Sequence, residues 1–226
     1  MEEVVIKCKG ISKHYGEGEN RVDALKDINV EILQDNLTLL VGPSGSGKTT
    51  LLSILTTILT PDRGELIILG QDVHLMSEDE KAHFRNRNLG IVFQSLFLIP
   101  TLTVAENISL PLIIAGGDKI AAEKKAIDLL EQLHIGKKAH VSPANLSKGQ
   151  QQRVAIARAM ISDAKILVCD EPTSALDQTS GSEVMGLLQH LAKTSGRAVL
   201  VVTHDHRTFS YADRVITLSD GQITPG

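Results

Sequence analysis

At 226 residues and a formal net charge of −4, the chain can bury one sizeable core, and it lacks the general basic field that gathers nucleic acid. Its 2 cysteines, Cys8 and Cys169, both sit in apolar strand-like runs, which suits core packing in a reducing compartment better than a disulfide framework. The acidic start, Met1-Glu2-Glu3, has no basic or apolar targeting region, and no stretch reads as a membrane-spanning helix, since the charge-free run from Asn88 to Ala105 is interrupted by Pro100.

Val4 to Cys8 is expected to start a strand. Lys13-His14-Tyr15-Gly16 and a polar loop from Glu17 to Asn20 follow, then a second extended stretch from Arg21 to Ile32. A tight turn at Gln34-Asp35-Asn36 leads into the β-prone run Leu37 to Val41. Next comes Gly42-Pro43-Ser44-Gly45-Ser46-Gly47-Lys48-Thr49, and then a helix opening with Thr50 and fading near Leu59. Glycine, four residues, glycine, lysine and threonine between a strand and a helix is the pattern of a phosphate-binding loop. The glycines let backbone N–H groups curl around an anion, and the new helix aims its unpaired N–H groups at the same point. Lys48 is expected to neutralise β- and γ-phosphate oxygens, and Thr49 to offer a hydroxyl to Mg²⁺. An ordinary glycine-rich turn is the alternative, which the spacing and the strand–helix context disfavour.

Thr60 to Gly64 is a turn by composition and Glu65 to Leu69 a strand. Ser77 precedes an acidic first helical turn, and Leu89 to Phe93 is a short buried strand ending at Gln94. From about Ser95 to Ile161 no strand signal occurs. Thr103 to Ala115 and Lys119 to Leu133 have helical character, broken at Gly116-Gly117. In the second, Ala126, Ile127, Leu130 and Leu133 share a face while Glu123, Lys124 and Glu131 face away. The expected organisation is a single domain over 1–226, with an α/β core (1–94 and 162–226) and an inserted helical subdomain (95–161). Between Arg87 and Asp118 the only charge is Glu106. That run suits subdomain core on one face and a surface docked under a membrane partner on another. Lys165 to Cys169 returns to a buried strand, Gly181 to Lys193 is a helix and Ala198 to Val202 a strand. Val215 to Leu218 and Gln222-Ile223 form a hairpin around Asp220-Gly221. Strands alternating with helices predict a mainly parallel sheet.

Two further constellations bear on chemistry. The apolar strand before Asp170-Glu171 delivers two carboxylates to the carboxyl edge of a parallel sheet, where ligands bind. Asp170 is expected to hold Mg²⁺ and Glu171 to orient and deprotonate the attacking water. An acidic strand end with no catalytic role is the alternative. Leu146-Ser147-Lys148-Gly149-Gln150 opens another helix, and Ser147 with Gln150 fits a capping box. Capping does not by itself explain a second anion-ready helix start in one nucleotide-binding chain.

With these stretches together, the chain resembles the ATP-binding subunits of ABC transporters over essentially its whole length. The phosphate loop is similar to the family's Walker A motif, the Asp170–Glu171 strand to Walker B, and Leu146 to Gln150 to the LSGGQ signature. Gln94 resembles the Q-loop glutamine, Ser174-Ala175-Leu176-Asp177 the D-loop, His204 the switch histidine, and Tyr15 the aromatic that stacks on adenine. The resemblance implies a P-loop NTPase (RecA-like) α/β fold with a mainly parallel sheet, an antiparallel β subdomain and the helical insert. It implies an ATPase using ATP and Mg²⁺, with catalytic Glu171, His204 and Gln94, and with Thr49, Gln94 and Asp170 at the metal. The nucleotide would meet Tyr15, Gly42, Pro43, Ser44, Gly45, Ser46, Gly47, Lys48, Thr49 and Thr50 of one protomer, and Ser147, Lys148, Gly149, Gln150 and Asp177 of the other. The partner implied is a second copy, arranged head to tail and dependent on ATP.

Lys148 stands where the signature commonly has glycine; a cation in a helix's first turn opposes the dipole by roughly 0.3–1 kcal/mol. Val92 to Pro100 and Glu106 to Leu112 resemble the MacB, LolD and FtsE group. That implies a peripheral protein on the cytoplasmic face of the inner membrane, contacting neither nucleic acid nor cargo. An integral membrane permease would dock near Ser95–Pro111 and be driven in MacB- or LolD-type export or lipoprotein release. The alternative is an FtsE-like ATPase gating a cell-wall partner without transport. Soluble relatives in DNA repair or translation carry coiled coils or paired cassettes that do not fit this length.

Overall fold

The computed structural model describes residues 3–224, so Met1 and Glu2 of the acidic start and the limits 1 and 226 of the expected domain lie outside it. β1 (Val4–Tyr15) and β2 (Val22–Leu33) pair antiparallel. With β4 (Arg63–Ile68) and β5 (Gln71–Asp72) they form a sheet of order β2-β1-β4-β5. Six more strands build the second sheet. They are β3 (Leu37–Val41), β6 (Leu89–Val92), β7 (Ile166–Asp170), β8 (Ala198–Val202), β9 (Arg214–Ser219) and β10 (Gln222–Thr224). Their order is β10-β9-β3-β8-β7-β6; only the β9–β10 hairpin is antiparallel. The mainly parallel sheet and the antiparallel companion are as the sequence implies.

The parallel strands are apolar almost throughout because both faces are covered. On one face lies α1 (Lys48–Leu55) with the antiparallel sheet, in a core that includes Ile6, Leu40, Leu52, Ile54, Val168 and Leu200. On the other lie α5 (Lys148–Met160) and α6 (Gln178–Thr194), with Leu39, Ile156, Leu167, Val184, Leu188 and Val201. The stretch without strands holds α3 (Val104–Ile114) and α4 (Lys119–Gln132), which pack with α5 around a third apolar cluster. Ala126, Leu130 and Leu133 lie inside it, as the periodicity predicts. α2 (Glu78–Asn88) precedes β6, and its Ser77–Glu80 capping box is formed.

Element limits differ where side chains intervene. α1 stops at Leu55 rather than near Leu59, because Thr57 turns left-handed (φ 58°) and the Thr56 hydroxyl bonds Leu52 O at 2.8 Å. α6 starts at Gln178 rather than Gly181, because Asp177 accepts the Ser180 N–H and caps it. The strand expected to start over Val4 to Cys8 runs on through Tyr15 as β1. Cys8 and Cys169 are buried and unpaired. Burial pushes the Cys8 thiol up to about 12 and the Cys169 thiol further still, so both behave as small apolar residues. Among the described residues no helix is long and apolar enough to cross a membrane.

Candidate nucleotide site

Parallel pairing sets Leu40 beside Val202 and Val202 beside Asp170, so β3, β8 and β7 end along one edge. Each then releases a loop into the same space. That space is a cavity of about 790 Å³, lined by Ser44 to Thr50 without Ser46, and by Gln94, Asp170, Glu171 and His204. Val22, Asp23, Ala24, Lys26, Val202, Asp220 and Gly221 complete its walls.

The loop Gly42 to Gly47 is built for backbone exposure. Gly45 and Gly47 hold left-handed backbones (φ 77° and 102°), and Gly47 precedes α1 with no side chain bonded to the helix start. The first N–H groups of α1 are therefore kept for an outside acceptor. The Lys48 ammonium donates to Gly42 O at 2.9 Å and Pro43 O at 2.7 Å, folding across the loop it serves.

Asp170 is half-buried at the end of β7. Burial first, then the adjacent Glu171 carboxylate, push its carboxyl up, while Lys48 draws it back. Glu171 has a left-handed backbone (φ 49°), a conformation that costs a non-glycine residue of order 1–3 kcal/mol. It is held by its own N–H donating to Val202 O (2.8 Å) and by the Ser174 hydroxyl donating to its carbonyl (3.0 Å). His204 Nδ1 lies 2.6 Å from Glu171 Oε1, and the Thr203 hydroxyl reaches Oε2 at 3.5 Å.

Of the residues singled out in the sequence, Ser44, Gly45, Gly47, Lys48, Thr49, Thr50, Gln94, Asp170, Glu171 and His204 share this cavity. Gly42, Pro43 and Ser46 belong to the loop but not to the wall. Tyr15 is exposed at its rim, paired across the sheet with Val22, which does line it. Ser147, Lys148, Gly149, Gln150 and Asp177 are not in it. They gather elsewhere, where a Cβ at Gly149 would sit 3.2 Å from Ser180, the residue that Asp177 caps. Ser147 and Gln150 form the expected capping box at the start of α5. Sequence reading missed Asp23, Lys26, Asp220 and Gly221, whose place at the site depends on long-range folding that no local pattern announces.

Gln94 leads into a segment pinned from two sides. Buried Asn107 accepts the Ile99 N–H (2.7 Å) and donates to Ile99 O, Leu102 O and Thr103 O. Arg158 of α5 donates to Leu96 O (2.5 Å) and Phe97 O (2.8 Å). Arg158 also borders a groove of about 690 Å³ with Ile58, Arg85, Phe93, Pro111 and Ile114. Of the stretch Ser95–Pro111 only Pro111 lines this groove. Val104, Ala105 and Ile108 are core, and Phe97 is 68% exposed.

The family model for ABC transporters matches residues 25–174. The chain belongs to the ABC transporter family. It is 42% identical over 224 residues to a macrolide export ATP-binding/permease protein MacB of Wolinella succinogenes, covering 99% of this chain and 35% of that protein. It is 39% identical over 220 residues to the lipoprotein-releasing system ATP-binding protein LolD of Shewanella frigidimarina, covering 97% of this chain and 92% of the relative. The chain thus spans about a third of the MacB relative and nearly all of LolD. A structure described as the post-hydrolysis dimer of the ATP-binding cassette MJ0796 with ADP and Pi superposes with a TM-score of 0.88, at 38% identity and 97% coverage of both chains. This chain is an ABC ATPase cassette of MacB/LolD type.

Proposed function

We propose that the cassette binds two ATP between two copies arranged head to tail and drives a separate membrane protein, in export or lipoprotein release of the MacB/LolD kind. One observation carries the reading. The cavity gathers the phosphate loop and every catalytic candidate, while the signature helix start is formed, exposed and outside it. A second copy is what brings that helix start to a nucleotide, and the dimeric MJ0796 cassette supports such an arrangement.

In this reading the phosphate-loop N–H groups, Lys48 and Thr50 hold the triphosphate, and Tyr15 packs on the base. Thr49, Gln94 and Asp170 fit Mg²⁺. Among the described residues no group of three or more His, Cys, Asp or Glu could hold a metal ion alone, and Mg²⁺ suits that sparse set by keeping phosphate and water ligands. When bound, the ion neutralises charge on the β- and γ-phosphates. Glu171 takes the proton of the attacking water. An ionised Glu171 only accepts, so the hydrogen between it and His204 sits on Nδ1. Nε2 then donates to a γ-phosphate oxygen only when the ring is doubly protonated. Ser147, Lys148, Gly149, Gln150 and Asp177 of the second copy close the site.

Glu171→Gln tests the assignment. It keeps the shape and removes the base, so turnover should fall by about 10²–10⁴-fold, with ATP binding intact and an ATP-dependent dimer in gel filtration. Hydrolysis at the wild-type rate would place water activation elsewhere. In this reading the membrane partner docks on the groove beside Phe93 and Ile114 and on exposed Phe97. The cassette itself lies peripherally on the cytoplasmic face. Phe97→Asp should spare basal hydrolysis and abolish stimulation by the permease in detergent; retained stimulation would move the docking site.

A further inference from the structure

Hairpin turns ordinarily face solvent, yet half of the turn between β9 and β10 does not: Gly221 is buried. It lies between β2 and the phosphate loop. Its carbonyl accepts the Lys26 N–H at 2.7 Å, and its own N–H donates to Ser46 O at 3.1 Å. The fit is backbone against backbone. A Cβ on Gly221 would meet Ala24 O at 2.8 Å, and one on Gly47 would meet the same oxygen at 2.5 Å. A Cβ on Gly42 would meet Leu218 O, in the hairpin's first strand, at 2.0 Å. The phosphate loop is therefore clasped between Ala24 of β2 and the β9–β10 hairpin.

We infer that the Asp220-Gly221 turn is a positioning element for nucleotide binding, acting through the Ser46–Gly47 peptide. That peptide is planar and trans, so its C=O and N–H point in opposite directions. Holding Ser46 C=O toward Gly221 turns Gly47 N–H away from the hairpin, toward the cavity that Gly47 lines. A donor fixed before the anion arrives loses less entropy on binding than one that must be ordered by it. The β9–β10 hairpin thereby contributes to affinity through the loop it holds. Asp220, exposed at φ 47°, is the other half of the turn and borders the same cavity.

The inference rests on ATP binding at this loop, and the test separates the two. Gly221→Ala should weaken Mg-ATP binding, read by calorimetry, by about tenfold or more, the loss expected when a donor to a charged acceptor is misaligned. Gly221→Asn tolerates the left-handed backbone but brings the same Cβ, so it should fail alike. The control is Gly70→Ala, in the β4–β5 turn at φ 74°, where a Cβ meets nothing within 4 Å. It carries the same backbone strain and should bind ATP within about twofold of wild type. Hydrogen exchange on the unaltered chain should show the Gly221 amide protected before nucleotide is added and slower after. Normal affinity in Gly221→Ala, rescue by Asn, equal loss in Gly70→Ala, or rapid exchange at Gly221 would each overturn the inference. If Lys48→Ala weakens binding and Gly221→Ala does not, only the hairpin's role is wrong. If Lys48→Ala leaves binding unchanged, the loop's own role is wrong.

Discussion

The phosphate loop and the signature loop both end at the start of a helix, and the chain finishes them differently. At α1 no side chain caps the helix, left-handed glycines open the backbone, and two neighbouring segments clasp the loop. At α5, Ser147 Oγ takes the Gln150 N–H at 3.3 Å and Gln150 Oε1 accepts the Ser147 N–H at 3.1 Å. The first start leaves its donors to a ligand; the second has satisfied part of its own. In the proposed function the first would grip an anion by itself. The other suits a supporting role, adding a few donors and the dipole's partial charge once an anion is delivered.

Three substitutions sharpen or break that contrast. Lys48→Ala should have the largest effect, raising the dissociation constant for ATP by about 100-fold as a charge-assisted partner of the phosphates is lost. Calorimetry on dilute protein reads it, and near-normal affinity would erase the distinction between the two loops. Ser147→Ala should spare that binding in dilute protein while costing α5 about 1 kcal/mol of stability through the lost cap. Turnover at concentrations that support dimers should fall; full turnover would mean the signature loop completes no site. Lys148→Gly, the smallest change, should leave turnover within a few-fold, because Ser147 and Gly149 remain. Lys148 is exposed and, among the described residues, in no ion pair, and what it loses in charge near a phosphate it regains in dipole agreement.

The parts legible in the sequence were those whose physics is local. The capping serine Ser77, the Ser147 capping box, the Asp220-Gly221 turn and the glycine spacing of the phosphate loop all act within a few residues. Strand order was not local: β3 lies between β8 and β9, far away in sequence. The groove escaped for the same reason, since Ile58, Arg85 and Phe93 meet Pro111 only after folding. Helix limits at Leu55 and Gln178 turned on side chains, Thr56 and Asp177, whose partners composition alone does not name.

Arg158 holds the backbone just after Gln94 and at the same time forms part of the groove wall. A permease helix seated there would press on the very cation that keeps the glutamine's loop in place, so a receiver and a trigger stand one side chain apart. Free-energy linkage then runs both ways. Whatever factor the seated helix lends to ATP affinity, ATP must return to the helix, and the strength of the grip on the membrane protein becomes a readout of the fuel state.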